Sequence, residues 1–257
     1  MKKFYFSLVA TLCILGQQVY AQSGTIGNKI SWTFQDEVLT ISGEGAMPDY
    51  SYSAATPWYT YKNSIKDVVI GEGITHLGNY TFSDYDKLIS VSFPNSLETI
   101  GEEGFNHCDA LKEITFGNSL ASIGRYAFSN CDQLQEITLP NSLTTIGEAC
   151  FYDCDNISIT FGNSLVKIEK HAFYGCGGLG NIVFPNSLTT IGEYAFYGCN
   201  INSITLGSGI KDIEANAFNG CNELRLIISN SVVLLFFITF DFVFDFVNFL
   251  LVEYCTS

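Results

Sequence analysis

The sequence predicts a β-rich repeat solenoid, in which successive coils of the chain stack into a rod. Three observations support this prediction. A phenylalanine-centred segment recurs at nearly constant spacing, each copy carries a short strand-like alternation, and a Pro-Asn-Ser or Gly-Asn-Ser turn follows the alternation in most copies. A unit of this size cannot bury its own apolar residues, so it becomes stable only when it stacks on copies of itself.

The anchor phenylalanines define the repeat. Their successive spacings are 23, 23, 23, 22, 23 and 22 residues. Within one unit, Ile114 and Phe116 fall on one face of a strand and Thr115 on the other, which is the period of two that is typical of strands. We therefore expect the anchors to lie in single file inside the rod. They are Phe82, Phe105, Phe128, Phe151, Phe173, Phe196 and Phe218.

The residue after each predicted strand alternates between proline and glycine, which indicates amplification of a two-repeat unit of 45 or 46 residues. Because proline lacks a backbone N–H, we expect a hydrogen-bond donor at this level to alternate along the stack. The alternating residues are Pro94, Gly117, Pro140, Gly162, Pro185 and Gly207.

The composition excludes one class of partner. The chain of 257 residues has a formal net charge of −14, with 12 lysines and arginines against 26 aspartates and glutamates. Nucleic-acid binding needs basic side chains that replace the counterions of the phosphates. We therefore expect no nucleic-acid partner.

Residues 1–21 are predicted to be a signal peptide, so that the mature protein is exported. A lysine pair at positions 2–3 precedes an apolar segment at 4–15, and Val19 and Ala21 supply the small residues of a cleavage site. Export to the cell surface or the extracellular space follows from this interpretation.

Residues 22–60 are predicted to form an N-terminal cap, and residues 61–232 form the solenoid of about seven repeats. Without a cap, the first coil would expose apolar edges and unpaired strand donors. We expect a short hairpin and loop that includes Trp32 and Trp58 to cover that end. A binding platform of aromatic residues is the alternative interpretation of this segment.

Residues 233–257 form an apolar tail with three open interpretations. The segment 233–252 is long enough for a transmembrane helix. However, Asp241 and Asp245 disfavour it, since a central aspartate costs about 2.5–3.5 kcal/mol on insertion. A strand-like cap is the second interpretation, because phenylalanine and mainly aspartate alternate over 240–246. Aberrant coding after a truncated repeat array is the third.

Three stretches before the repeats, ISWTF at 30–34, LTISGEGAMPDY at 39–50 and PWY at 57–59, accompany the repeat unit. Together they resemble the BspA-like class of bacterial leucine-rich repeats over about residues 28–232. The resemblance implies a right-handed leucine-rich-repeat coil with 22–23-residue repeats and a short N-terminal β cap. It also implies a surface-exposed or secreted protein that is associated with adhesion, in a family that marks ligand-contacting residues with no motif.

Six cysteines form one predicted column inside the rod, each three residues after an anchor, and Tyr85 takes this place in the first coil. Side chains of one column point the same way, so we expect buried free thiols rather than disulfides, whose geometry is exacting. Cys150 stands where other copies have alanine and is interpreted as a small-residue substitution. The column consists of Cys108, Cys131, Cys154, Cys176, Cys199 and Cys221.

The sequence offers no recognisable catalytic grouping, metal set or cofactor loop. His76, His107 and His171 are interpreted as surface or packing residues, and acidic pairs such as Glu102 and Glu103 fall in turns. The glycines belong to repeat turns rather than to a phosphate or calcium loop. No Cys-x-x-Cys pair or nearby histidine supplies a zinc set. We therefore expect no enzyme activity, no metal and no cofactor.

The candidate ligand-facing surface is the outward row of the predicted sheet, which is polar, β-branched and low in charge. This composition suits contact with a protein or a glycan, although threonine also simply favours an exposed strand face. A group of tyrosines near the anchors, such as Tyr126 and Tyr152, is a second candidate surface. The outward row consists of Ser92, Thr115, Thr138, Thr160, Val183 and Thr205.

These observations together predict an exported protein-binding or adhesion module that acts through the sheet. The expected partner is a host or bacterial surface protein or a glycan. A structural component of the cell envelope without a soluble ligand is the alternative, and a hydrolase is a third hypothesis. The two tail aspartates disfavour membrane contact through the tail.

Overall fold

The computed structural model describes residues 21–52, 55–229 and 250–253. The predicted signal peptide, apart from Ala21, and most of the apolar tail lie outside these ranges. Only the tail residues 250–253 fall inside them, and they form a strand.

Twenty strands and one short 3₁₀ helix, Tyr59–Tyr61, make up the regular structure of the described residues. In chain order the strands are β1 Gln22–Ile26, β2 Ile30–Gln35, β3 Val38–Gly43, β4 Gly45–Ala46, β5 Asp67–Ile70, β6 Ile74–Leu77, β7 Ser90–Ser92, β8 Thr99–Ile100, β9 Glu113–Thr115, β10 Ser122–Ile123, β11 Glu136–Thr138, β12 Thr145–Ile146, β13 Ser158–Thr160, β14 Lys167–Ile168, β15 Gly180–Val183, β16 Thr190–Ile191, β17 Ile201–Thr205, β18 Asp212–Ile213, β19 Leu226–Ser229 and β20 Leu250–Glu253.

The anchor phenylalanines lie in single file along the interior, which confirms the prediction on which the solenoid rests. All seven are at most 1% exposed. Successive ring centroids are 5.0–5.5 Å apart, and the ring planes are within 19° of parallel. A stack of parallel rings at this spacing requires that each coil repeat the backbone path of the coil before it.

The predicted strands form the first wall of the solenoid, in which the odd-numbered strands from β5 to β19 follow one another in chain order, with β20 beside β19. We call its outer surface the sheet face. Inward residues such as Ile137 and Ile182 are buried, whereas Thr138 and Val183 point outward. The alternation read from the sequence therefore describes this wall correctly.

A second wall was not predicted. It is an eight-stranded parallel sheet in the order β18-β16-β14-β12-β10-β8-β6-β4. Most of its strands have only two residues, and the isoleucines Ile100, Ile123 and Ile146 align in register. A two-residue strand is too short to show an alternation in the sequence, which is why the sequence predicts no strand after the Pro-Asn-Ser or Gly-Asn-Ser turn.

The third wall is the turn that carries the anchors, and we call its outer surface the anchor face. Backbone hydrogen bonds join neighbouring coils here as well. The amide of Phe105 donates to the carbonyl of Ala127 at 2.7 Å, and the amide of Phe128 donates to the carbonyl of Cys150 at 2.8 Å. The coil is therefore bonded to its neighbours on three sides.

Proline and glycine levels alternate along the first wall. Its sheet is divided between β9 and β11 and between β13 and β15, each time after a glycine coil and before a proline coil. Strand pairing does continue past a glycine coil at the two ends, from β5 to β7 and from β17 to β19. The 45- or 46-residue unit seen in the sequence is thus visible as a division of the sheet at two junctions.

The glycines are required by a close approach to the preceding proline coil. A Cβ at Gly117 would lie 2.0 Å from the carbonyl oxygen of Pro94, and a Cβ at Gly162 would lie 2.3 Å from that of Pro140. Nonbonded carbon and oxygen atoms essentially never come so near each other. This contact explains why glycine occupies every second level.

Side chains at the turn follow the same alternation. Between a proline coil and the next glycine coil, the side-chain oxygen of Asn95 accepts a hydrogen bond from the amide of Asn118 at 3.2 Å. Between a glycine coil and the next proline coil, the Ser142 hydroxyl donates to the carbonyl of Leu120 at 2.7 Å. The same two bonds recur one unit later, so the two kinds of junction use different chemistry.

The N-terminal segment forms an antiparallel meander, β1-β2-β3, and β3 then pairs in parallel with β5 of the first coil. Trp32 and Trp58 pack edge to face with ring centroids 6.2 Å apart. Both are buried, at 6% and 0% exposure. These tryptophans therefore contribute to the core at this end, and the alternative of an aromatic binding platform built on them is wrong.

The six column cysteines are buried free thiols, as predicted, and Cys150 is also free and buried. Burial raises the pKa of the thiols of Cys131, Cys154 and Cys176 well above the ordinary value. Thiols with such pKa values stay protonated and therefore unreactive at neutral pH. Among the described residues, no helix is long and apolar enough to cross a membrane.

Candidate functional site

The outward row predicted as ligand-facing lies on the sheet face. Strand pairing brings its members together two by two, Ser92 beside Thr115 and Thr138 beside Thr160. Val183 is 66% exposed and pairs with Thr205, which is half-buried. The divisions of the sheet fall between these pairs, so the row is a series of short polar steps rather than one uninterrupted ladder.

The anchor face carries bulky side chains in a backbone conformation that normally disfavours them. The residue two positions before each anchor has a positive φ, between 50° and 58°. Left-handed backbone costs a residue with a Cβ about 1–2 kcal/mol, and glycine or asparagine adopts it most easily. Nevertheless, tyrosine, glutamate or histidine occupies the position in most coils: Tyr80, Glu103, Tyr126, His171 and Tyr194.

A second column of the anchor face becomes aromatic only in its C-terminal half. Tyr152, Tyr174 and Tyr197 each follow an anchor directly, and their rings stack at 4.9 and 4.8 Å. In earlier coils the same position holds Ser83, Asn106 and Ser129. The ring of Tyr152 is therefore the first of the stack, with no tyrosine at the equivalent position of the coil before it.

A recess of about 550 Å³ opens on the anchor face where these two columns change. Ala149 is the small, buried member of the column that holds Tyr126 and His171 in the adjacent coils. Ser129 is the small member of the other column. We call this depression the tyrosine recess. Its walls include Glu103, Asn106, Tyr126, Tyr152, His171 and Tyr174.

Hydrogen-bond acceptors line one side of the tyrosine recess. Glu103 accepts hydrogen bonds from the Tyr80 hydroxyl at 3.2 Å and from the side-chain amide of Asn106 at 3.1 Å. The other side-chain atom of Asn106, Oδ1, is buried and has no partner within the described part of the chain. A buried acceptor without a donor is a destabilising feature unless something else supplies the hydrogen.

An acidic row runs along the anchor face beside the recess. Its members lie four residues after successive anchors, and Asp153 adds a further carboxylate. Burial raises the pKa of Asp132, and the negative charges of Asp109 and Asp155 raise it further. Burial also raises the pKa of Asp153, and the negative charge of Asp155 raises it further. The acidic row consists of Asp86, Asp109, Asp132 and Asp155.

Two tyrosine clusters of the anchor face already hold cations of the chain itself. The guanidinium of Arg125 lies 4.7 Å from the ring centroid of Tyr126. Near the N-terminal cap, the Lys62 ammonium lies 5.7 Å from the Tyr59 ring and 5.8 Å from the Tyr85 ring. Those last three residues border a second recess, of about 260 Å³. Cation–aromatic contact is thus a recurrent chemistry of this surface.

The histidines fit the structural roles that the sequence suggested. The His171 ring stacks on Tyr194 at 5.5 Å, and burial lowers the pKa of His171, as does the nearby Lys170. His76 contacts the Thr99 hydroxyl at 2.6 Å. Among residues that the structure describes, no group of three or more histidine, cysteine, aspartate or glutamate side chains is placed to hold a metal ion.

The tyrosine recess was not predicted, although its cause is visible in the sequence. The sequence predicts a cluster of tyrosines, but the prediction does not include the gap that Ala149 and Ser129 leave among them. Such a gap becomes a recess only once the columns are aligned. Which side chains of the turn point outward depends on its left-handed backbone positions.

A family profile described as the BspA type leucine rich repeat region matches residues 57–176 and 144–237, in six copies. No curated protein matches the chain at a significant level.

Several solved bacterial structures share the fold. A leucine-rich repeat protein from Eubacterium ventriosum is 22% identical, with 82% of this chain and 73% of that one covered, at a TM-score of 0.54. A leucine rich cell surface protein from Faecalibacterium prausnitzii is also 22% identical, with 82% and 55% covered, at 0.53. The pneumococcal vaccine antigen PcpA is 18% identical, with 82% and 65% covered, at 0.50. At these identities the similarity is one of fold alone.

Proposed function

From the premise that the chain belongs to the BspA-type leucine-rich repeat family, we propose that it is an exported protein-interaction module, displayed at the cell surface or released, and that it acts in adhesion. Repeat solenoids present extended surfaces for binding, and their fold is typically a non-enzymatic scaffold. The partner class is a host or bacterial surface protein or glycan.

One observation carries this proposal. Inward positions are nearly identical from coil to coil, whereas outward positions of the anchor face differ although their backbone conformation does not. Tyr80, Glu103, Tyr126 and His171 share one left-handed position. Stability alone would favour glycine or asparagine there. Strained residues that persist at a surface support a role in binding.

The sheet-face row is a second contact surface under this proposal. Val183 is exposed in a row that is otherwise made of serine and threonine. Exposed β-branched residues on a flat strand face offer area for a partner with little charge to desolvate. The row and the anchor face lie on different walls, so their contributions can be separated by substitution.

The experiment displays the full chain and measures binding to panels of extracellular matrix proteins, bacterial surface proteins and glycans. Thr138→Lys with Thr160→Lys alters the sheet face, and Tyr152→Ser alters the anchor face. We expect the chain to bind at least one panel member, and we expect at least one of the two variants to weaken that binding. Absence of any binding above that of an unrelated solenoid contradicts the proposal.

Export is tested separately by fractionation. The full chain should appear in the envelope or the medium, and deletion of residues 2–21 should retain it in the cytoplasm. If the deleted chain leaves the cytoplasm equally well, the export part of the proposal is wrong. Firm retention in the envelope without any bound partner would instead favour a structural role.

A further inference from the structure

The tyrosine recess combines an aromatic wall with unpaired acceptor capacity. Tyr152 and Tyr174 form part of the wall, and the buried Oδ1 of Asn106 and the Glu103 carboxylate lie in the same lining. A ligand that fits must supply hydrogen-bond donors on one side and tolerate the face or edge of a phenol ring on the other. A lysine ammonium or arginine guanidinium meets both requirements.

Charge around the recess selects for a cation. The acidic row places four carboxylates at successive levels, about 5 Å apart by the spacing of stacked strands. Like charges at this spacing oppose one another, and a cationic partner relieves the repulsion. The net charge of −14 adds long-range attraction for a basic segment.

The surface already uses this chemistry within the chain. The Arg125 guanidinium lies over the ring of Tyr126, and its nitrogens lie 3.6 Å from carboxylate oxygens of both Glu102 and Glu148. Lys62 makes the corresponding contact with Tyr59 and Tyr85. Tyr152 has no such cation among the described residues, although it lines the larger recess.

We propose that the tyrosine recess receives a lysine or arginine side chain from a basic segment of a partner protein, with the acidic row contacting further basic residues of that segment. The inference rests on the proposed protein-interaction function and names the surface and the partner chemistry. A rod with carboxylates at repeated levels fits an extended segment better than a single compact cation, because several basic residues of the segment can then contact carboxylates at different levels.

The test uses the full chain and fluorescein-labelled octalysine, octaarginine and octaglutamate peptides, with binding followed by fluorescence anisotropy. The central variant is Tyr152→Ser, and its matched control is Tyr197→Ser. Both tyrosines occupy the position that Ser83 and Ser129 fill in other coils, so both substitutions suit the fold. A second matched pair is Glu103→Gln in the recess and Glu136→Gln on the sheet face.

We expect the basic peptides to bind and octaglutamate not to bind. Tyr152→Ser should weaken binding of the basic peptides about fivefold or more, the loss typical of a partly desolvated cation–aromatic contact. Tyr197→Ser should change it less than about twofold. Glu103→Gln should weaken binding more than Glu136→Gln, although both remove one charge. Circular dichroism should show the same fold for all four variants.

Three results would overturn the inference. Equal effects of the two tyrosine variants would remove the recess from the site, and equal effects of the two glutamate variants would reduce binding to net charge. Neutral oligosaccharides that bind in a Tyr152-dependent manner, while the basic peptides do not, would assign the recess to glycans. In each case the panel experiment still decides independently whether the chain is a protein-interaction module.

Discussion

The thiol of Cys131 donates a hydrogen bond to the carbonyl oxygen of Phe105 in the preceding coil, at 3.2 Å. Cys108 makes the same bond to Phe82 at 3.2 Å, and Cys154 makes it to Phe128 at 3.1 Å. The sequence predicts the column only as buried free thiols. It is also a series of buried donors that satisfy the anchor carbonyls on the inner side of the third wall.

Cys131→Ala should therefore destabilise the protein more than its loss of volume suggests. A buried acceptor left without a donor costs about 1–3 kcal/mol. The matched variant is Cys150→Ala, because alanine already occupies that position at Ala127 and Ala172. It should cost about 1 kcal/mol or less, the value of one buried methylene-sized group. Urea unfolding measures both free energies, and equal losses would contradict a donor role.

The column thiols should resist alkylation while the protein is folded. All of them are buried, and burial raises the pKa values of Cys131 and Cys154, so iodoacetamide at pH 8 meets inaccessible thiols. Mass spectrometry should find Cys108, Cys131 and Cys154 unmodified in buffer and fully modified in concentrated urea. Modification of the column in buffer, at the rate seen in urea, would show that the coils open.

Gly117→Ala should destabilise the protein by about 1–3 kcal/mol, the usual cost of overpacking. Its Cβ would meet the carbonyl oxygen of Pro94 at 2.0 Å, and backbone cannot rotate away. Gly198→Asn is the control, since a Cβ there meets nothing within 4 Å and Asn130 already adopts the equivalent left-handed conformation. Thermal unfolding of both variants gives the comparison. A neutral Gly117→Ala would disprove the close approach.

Asp132→Asn and Glu72→Gln should change stability with opposite signs. The folded-state pKa of Asp132 is raised by burial and by Asp109 and Asp155, so its favourable contribution exists only at low pH and is lost as pH rises through the raised value. Asp132→Asn should therefore increase the free energy of unfolding at pH 7 and have little effect at pH 3.

The pKa of Glu72 is lowered by the hydrogen bonds that it accepts, the largest contribution coming from the amide of Asn95. Its stabilisation exists above the ordinary pKa and is lost as pH falls through the lowered value. Glu72→Gln should thus decrease stability at pH 7 and have a smaller effect at pH 3. Urea titrations at both values measure the signs, and the same sign for both variants would refute the assignment.

Much of the interior could be predicted because its residues repeat. The spacing of Phe82 to Phe218 gives the coil length, the alternation at Ile114 and Phe116 gives the first wall, and the cysteine spacing gives the column. Each of these patterns reflects burial, and burial leaves the same residue type at each level. The single file of rings at 5.0–5.5 Å follows directly from that regularity.

The outer features could not be predicted in the same way, because they depend on backbone conformation and on differences between coils. The residue types of Tyr80 and Tyr126 do not predict a left-handed turn, since tyrosine is uncommon in that conformation. The tyrosine recess arises from the exception at Ala149. Two-residue strands such as β10 follow from the stacking of neighbours rather than from their own sequence.

The alternating junctions constrain how such a chain can change length during evolution. Loss or gain of one coil could set two proline levels side by side, where the second proline would meet the carbonyl oxygen of the first, as a Cβ at Gly117 would meet that of Pro94. Recombination in blocks of 45 or 46 residues leaves every junction intact. The length of the rod should therefore change among descendants by two coils at a time, and each step adds or removes about 10 Å.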